Sequence, residues 1–117
     1  MIVYLSGKMT GDSGYCEKFA AGEALLRLMG HEVINPVKLA EVLPSSIYTD
    51  MENEPLYGRR YSQIMFLDFR LITMSDAVAF LPGSETSRGA CLEYREALAT
   101  GKKIIFLGGT LNECGHG

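Results

Sequence analysis

SDAVAFLPGSETSRGACLEYREALATGKKIIFL, residues 75–107, reads as strand, loop, helix and strand, and the rest of the chain fits around it. Ala77-Val78-Ala79-Phe80-Leu81 is a short continuous apolar run, the pattern of a strand buried on both faces of a parallel sheet. Pro82 and Gly83 end the run, because proline removes a ladder donor and glycine permits a turn. Thr86 or Ser87 is then placed to cap a helix whose first N–H groups have no partner within it. The spacing carries that helix to about Thr100. Gly101 is the expected left-handed stop, and Ile104-Ile105-Phe106-Leu107 is the next buried strand.

Within the helix, Ala90, Cys91, Tyr94, Ala97 and Leu98 fall on one arc at helical spacing, with Glu93 at its edge. Two readings of Glu93 stay open at this point. It is either a boundary residue reaching for solvent or an arginine, or a carboxylate above the C-terminal ends of the strands, where open α/β sheets bind ligands.

The 117 residues, 47% of them apolar, suit one domain spanning 1–117 with a single core. No apolar run approaches the roughly 20 residues of a membrane span, and no charged-then-apolar leader opens the chain, so a cytoplasmic protein without membrane contact is expected. Cys16, Cys91 and Cys114 form neither an even set nor a CxxC, and reduced thiols are expected. A net charge of −3 argues against a general nucleic-acid binder, though not against a small phosphorylated ligand held by local donors. No metal and no cofactor is called for: Cys114 and His116 resemble half a metal site, and nothing supplies the other half.

Ile2-Val3-Tyr4-Leu5 is the first strand, followed by the loop Ser6-Gly7-Lys8-Met9-Thr10-Gly11. Two glycines flanking polar residues after a strand let backbone N–H groups approach an anion, although a plain tight turn fits the same spacing. Asp12 or Ser13 caps a helix with Tyr15, Phe19, Gly22, Leu26 and Met29 on one face, and Gly30 ends it. Residues 31–35 form a second strand closed by Pro36, and residues 38–43 one or two helical turns. Residues 44–55 read as a surface loop, of the kind that serves as a lid or an oligomer contact. Residues 57–74 return to helix with Ile64, Leu67, Leu71 and Met74 on one face, which leaves Asp68 and Arg59-Arg60 on the solvated side. The order predicts an α/β three-layer sandwich, flavodoxin- or Rossmann-like, with right-handed crossovers and a parallel sheet of four or five strands. The fifth would lie near Val42 or in the tail after Gly108-Gly109.

IVYLSGKMTG at the start, LLRLMGHEVINP, Asp68 and Asp76 with seven residues between them, and SRGACLE followed by GKKIIFL together resemble the nucleoside 2-deoxyribosyltransferase-like superfamily. The similarity is closest to its small bacterial and phage branch, and it covers nearly the whole chain. It implies that Glu93 is the catalytic carboxylate, attacking the anomeric carbon of a nucleoside or nucleotide and displacing the base. It further implies that Asp68 contacts or protonates the base, that Tyr4 orients the glutamate, and that the first loop (Ser6, Gly7, Lys8, Gly11) closes on the sugar. The transferases carry an aspartate six residues before the glutamate, where this chain has Ser87; the related deoxynucleoside 5′-monophosphate N-hydrolases have serine there, against the 5′-phosphate. A serine at a helix N-terminus donates to a phosphate that an aspartate would repel. Arg88 and Lys8 would add charge, and Gly83 and Gly89 complete the set expected to line the substrate.

The expected activity is therefore N-glycosidic cleavage of a nucleoside 5′-monophosphate, with base exchange as one alternative and a non-catalytic nucleotide sensor as another. The pattern PG…GAxxE also resembles the PGGxGTxxE of lysine-decarboxylase-like phosphoribohydrolases, less well because the second glycine after Gly83 is missing. A homodimer or larger assembly is expected, since family sites are often completed by a neighbouring chain and residues 44–61 offer Ile47, Tyr48, Met51, Leu56, Tyr57 and Tyr61.

Overall fold

The computed structural model describes residues 1–9, 11–42 and 59–108. Four strands, β1 (Ile2–Ser6), β2 (Glu32–Ile34), β3 (Ala77–Phe80) and β4 (Lys103–Phe106), form one sheet in the order β2-β1-β3-β4. Every pairing is parallel, with Tyr4 opposite Ile34 on one side and Val78 on the other. The α/β expectation holds with four strands among the described residues. Val42, the suggested site of a fifth, is an exposed turn residue; the tail lies outside the described residues, as do residues 43–58.

Period-two alternation splits the strands between two cores. Val3, Leu5, Ala77, Ala79 and Leu81 pack against Phe19 and Leu26 of α1 (Tyr15–Leu28) and Val37 of α2 (Pro36–Ala40). Tyr4, Val78 and Phe80 face the other way, against Ile72 of α3 (Arg59–Thr73) and Ala97 of α4 (Arg88–Ala99). Helices therefore cover both faces of the sheet, giving three layers. At the edge, β4 is only half-covered, and Phe106 is exposed.

Local chemistry accounts for the element ends. Ser87 caps α4 by accepting from the Ala90 N–H at 3.2 Å, and Gly101 follows the helix at φ +71°. A 3₁₀ turn over Ser84–Thr86 precedes the cap. Asn35 caps α2 through the Val37 N–H, with Pro36 in the first turn, so this proline opens a helix as well as closing a strand. α1 starts later than its expected cap: Asp12 accepts from the Gly14 N–H at 2.9 Å and shapes the turn before the helix. Gly22 and Gly7 are required by close approach, since a Cβ would lie 2.6 Å and 2.8 Å respectively from methyl groups of Leu81.

Two helical faces differ from expectation. On α3, Met65 and Ile72 are buried and Asp68 and Phe69 half-buried, whereas Leu67 and Met74 are exposed. On α4 the buried positions are Ala90, Glu93 and Ala97, and Leu98 is exposed. In both helices an acidic residue replaces an apolar one on the inward arc, which turns the true arc away from the one hydrophobicity selects. The thiol expectation also fails in part: Cys16 is free and exposed, but Cys91 is disulfide-bonded.

Candidate functional site

The chain runs outward from β1 to β2, then returns to place β3 on the other side of β1. β1 and β3 are therefore adjacent strands whose connections leave in opposite directions, the topological switch point at which open α/β sheets bind ligands. Three groups of side chains meet at their C-terminal ends.

The first is a buried carboxylate cluster on the α3/α4 side. Tyr4 and Ser6, two apart on β1, share a face of the strand and are fully buried. The Tyr4 hydroxyl donates to Glu93 Oε2 at 2.6 Å, and Ser6 Oγ donates to Glu93 Oε1 at 2.7 Å. Glu93 reaches them from the second turn of α4 and is itself only 6% exposed. From α3, half-buried Asp68 is near enough for its charge to act on both Tyr4 and Glu93. No lysine or arginine pairs with either acid among the described residues.

These surroundings shift every titratable member upward. Burial raises Glu93, and the neighbouring Asp68 charge raises it further, against the hydroxyl donors. Burial likewise raises Asp68. Each acid therefore opposes the ionisation of the other, and Glu93, the deeper of the two, is held in its neutral form to higher pH than a free carboxyl. Burial, reinforced by the two acids, holds the Tyr4 phenol well above its usual range, so it remains a donor.

The second group lines a cleft of about 350 Å³ beside the cluster: Lys8, Gly11, Asp12, Ser13 and Lys18 on one wall, Pro82, Gly83 and Thr86 on the other. Lys18 is tied to Asp12 at 2.7 Å, while Lys8 makes no hydrogen bond or ion pair among the described residues. Gly7 lies beneath, packed on Leu81 and Phe19. The third group opens α4: Ser87 at the cap, exposed Arg88 in the first turn, and half-buried Gly89.

The residues expected to act together therefore separate into two layers. Glu93, Asp68 and Tyr4 converge, and Ser6, expected to line the substrate, joins them below the surface. Lys8, Gly11 and Gly83 line the cleft, which Glu93 does not. Asp76 serves elsewhere, accepting from the Ile2 N–H at 2.8 Å at the opposite end of β1. Asp12, Ser13, Lys18, Pro82 and Thr86 also line the cleft, although from sequence Asp12, Ser13 and Thr86 read as candidate caps, Pro82 as the end of a strand, and Lys18 was not marked. Among the described residues no group of three or more His, Cys, Asp or Glu is arranged to hold a metal ion. None of the helices searched there is long and apolar enough to cross a membrane.

A second buried acid, missed from sequence, is structural. Glu23 of α1 accepts from Arg27 Nε at 2.7 Å, Lys38 Nζ at 2.9 Å and Asn35 Nδ2 at 3.0 Å. Burial raises this carboxyl, but the three donors and the Lys38 charge outweigh that and bring it down to about 2. The signals were present as Glu23–Arg27 at i,i+4 and as the cap–proline pair Asn35-Pro36.

Fold and cluster together define a parallel α/β protein with two acids, Glu93 and Asp68, brought together at its switch point. The chain belongs to the DUF4406 family, a domain of unknown function whose model matches residues 1–106. No match is found among curated proteins or among solved structures.

Proposed function

We propose that the protein cleaves the N-glycosidic bond of a nucleoside 5′-monophosphate, with Glu93 as nucleophile and Asp68 as acid. The observation that carries the reading is the Glu93 carboxyl, held at both oxygens by Tyr4 and Ser6, with a second acid, Asp68, near enough for its charge to raise it. That arrangement supplies what the reaction needs: a carboxylate to form a bond to the anomeric carbon, and a proton for the base that leaves. In the first step Glu93 bonds to C1′, the C1′–N bond breaks with its electron pair passing to the base, and the Asp68 proton follows it. In the second, water adds at C1′ and gives its proton to Asp68, freeing the Glu93 carboxylate and the sugar phosphate. Lys8, Ser87 and Arg88 are the groups assigned to the phosphate. Delivery of the sugar to a second base in place of water is the transfer alternative.

The low exposure of Glu93, and a cleft that it does not line, favour one competing reading, a nucleotide-binding module without turnover. The test is release of free base from a nucleoside monophosphate that both wild type and Glu93→Gln bind. Loss of several orders of magnitude in Glu93→Gln is expected. Equal rates would remove Glu93 from the chemistry, and binding without turnover by wild type would favour the sensor.

A further inference from the structure

β4 is the edge strand of the sheet, and an apolar strip lies open beside it. On α4, Cys91, Tyr94 and Leu98 follow at steps of three and four, so they share one stripe along the helix. Cys91, Tyr94 and Ile104 of β4 pack half-buried against the same core, whereas Leu98 is 54% exposed. Phe106, the last residue of β4, stacks beside the Tyr94 ring at a centroid distance of 6.5 Å and is 45% exposed. An open aromatic strip on an edge strand is a surface that proteins cover. The same stripe carries a covalent clue, because Cys91 is disulfide-bonded. The sequence has three cysteines, and Cys16 is free and exposed, which leaves Cys114 as the candidate partner within the chain.

We propose that residues 109–117 are the cover: a Cys91–Cys114 disulfide fastens this terminal segment over Phe106, Tyr94 and Leu98 as a strap that opens on reduction. The proposal is independent of the glycosidase reading. The described residues end at Gly108, directly after β4 and therefore beside the strip. Cys91 lies in the first turn of α4, which begins at the end of the sheet where β4 finishes. Residues 109–114, extended, reach about 20 Å, enough to return from Gly108 to Cys91, and Leu111 gives the segment an apolar side chain to lay on the strip. The reduced state is accommodated as well, since Cys91 Sγ stands 3.7 Å from the Glu85 carbonyl oxygen, which can accept from the thiol once the bond opens. Closure is thiol–disulfide exchange with a small-molecule disulfide. One cysteine thiolate attacks a sulfur of that disulfide and expels the first small thiol; the other thiolate then attacks the mixed disulfide at the protein sulfur and expels the second. The chain loses two electrons and two protons, and the small disulfide is reduced to two thiols. Cys91 and Glu93, two apart on α4, point to different faces, so the strap is separate from the carboxyl cluster.

The experiment is peptide mapping of the intact chain after equilibration with oxidised glutathione, with the remaining thiols blocked by N-ethylmaleimide. The block should fall on Cys16 alone, and the peptide holding Cys91 should be joined to the peptide that ends at Gly117. A cross-link that involves Cys16, no cross-link at all, or a Cys91 cross-link between two copies on a non-reducing gel would each overturn the proposal. Docking is read separately, by NMR of the oxidised wild type against Cys114→Ser. Side-chain resonances of Phe106, Tyr94 and Leu98 should all move; Leu98 lies about two turns from Cys91, beyond the local effect of losing the bond. Unmoved Phe106 and Leu98 in the presence of the disulfide would refute the cover. Reduction should also lower the urea midpoint of wild type by about 1 M and leave Cys114→Ser unchanged, and an equal response of the two would count against the strap.

Discussion

Glu23→Gln isolates the charge of the acid that ties α1 to α2 and to its cap, Asn35. In the folded protein its carboxyl is brought from 4.5 to about 2, against the raising effect of its own burial. At about 1.4 kcal/mol per pH unit this corresponds to an upper bound of about 3.5 kcal/mol. Arg27 and Lys38 are 54% and 64% exposed at their side chains, so solvent screens both partners, and about 1.5–2 kcal/mol is the better expectation. Glutamine keeps the shape and an acceptor for Asn35 but drops both ion pairs. Urea unfolding followed by circular dichroism should show the variant's midpoint about 1 M lower at pH 7, taking a typical slope for a small domain. The sign of the pH dependence follows from the depressed value. The stabilisation is complete above about 4.5 and disappears as pH falls through the folded value near 2, because the protonated glutamic acid then resembles glutamine. The wild-type advantage should therefore shrink from pH 7 to pH 3. A gap that stays constant over that range would mean shape, not charge, is responsible, and no gap at pH 7 would refute the reasoning altogether.

The carboxyl pair should act in the opposite sense. Its folded values are raised, so its stabilising contribution is greatest below the ordinary carboxyl range and is lost as pH rises through neutrality; Glu93→Gln should flatten the fall in thermal midpoint between pH 5 and pH 8, and an unaltered slope would contradict the raised titration of Glu93. Gly22→Ala should cost about 1–3 kcal/mol in wild type through its collision with Leu81, but be neutral or stabilising in Leu81→Ala, where the space exists and alanine is the better helix former; additive effects in that cycle would deny the contact. Ser87→Asp keeps a good cap for α4, so stability should hold, while calorimetry should show nucleoside monophosphate binding weakened more than nucleoside binding; equal losses would place the phosphate elsewhere.

The sheet was legible because its strands are short apolar runs bounded by proline or glycine, as at Ala77–Leu81 before Pro82-Gly83. The two acids were harder to place. Hydrophobic spacing assigns carboxylates to solvent, so Glu93 read as an edge position and Asp68 as a polar-face residue. The arcs were drawn instead through Leu98, Leu67 and Met74, which are exposed. Only the resemblance put Glu93, Asp68 and Tyr4 in one place. Ser6 was read as the first residue of the loop, whereas strand β1 runs one residue further than its apolar run and makes it the next inward side chain after Tyr4. Gly7 had a readable glycine but an unreadable reason: its neighbour Leu81 is distant in sequence, and no local pattern reports the contact.

β1 gives alternate side chains to core and cluster, and its cluster contacts span nearly the whole chain: Tyr4 and Ser6 meet a residue 89 and 87 positions away. Such pairings are entropically expensive to close early and form late in folding. The central position of β1, paired on both sides, means that local fraying of an edge strand does not release them. Native-state hydrogen exchange at the Tyr4 and Ser6 amides should accordingly track global unfolding. No fragment that omits either the first strand or α4 should reproduce the titration of the carboxyl pair. The arrangement around Glu93 is then a property the chain acquires all at once, when β1 and α4 have met.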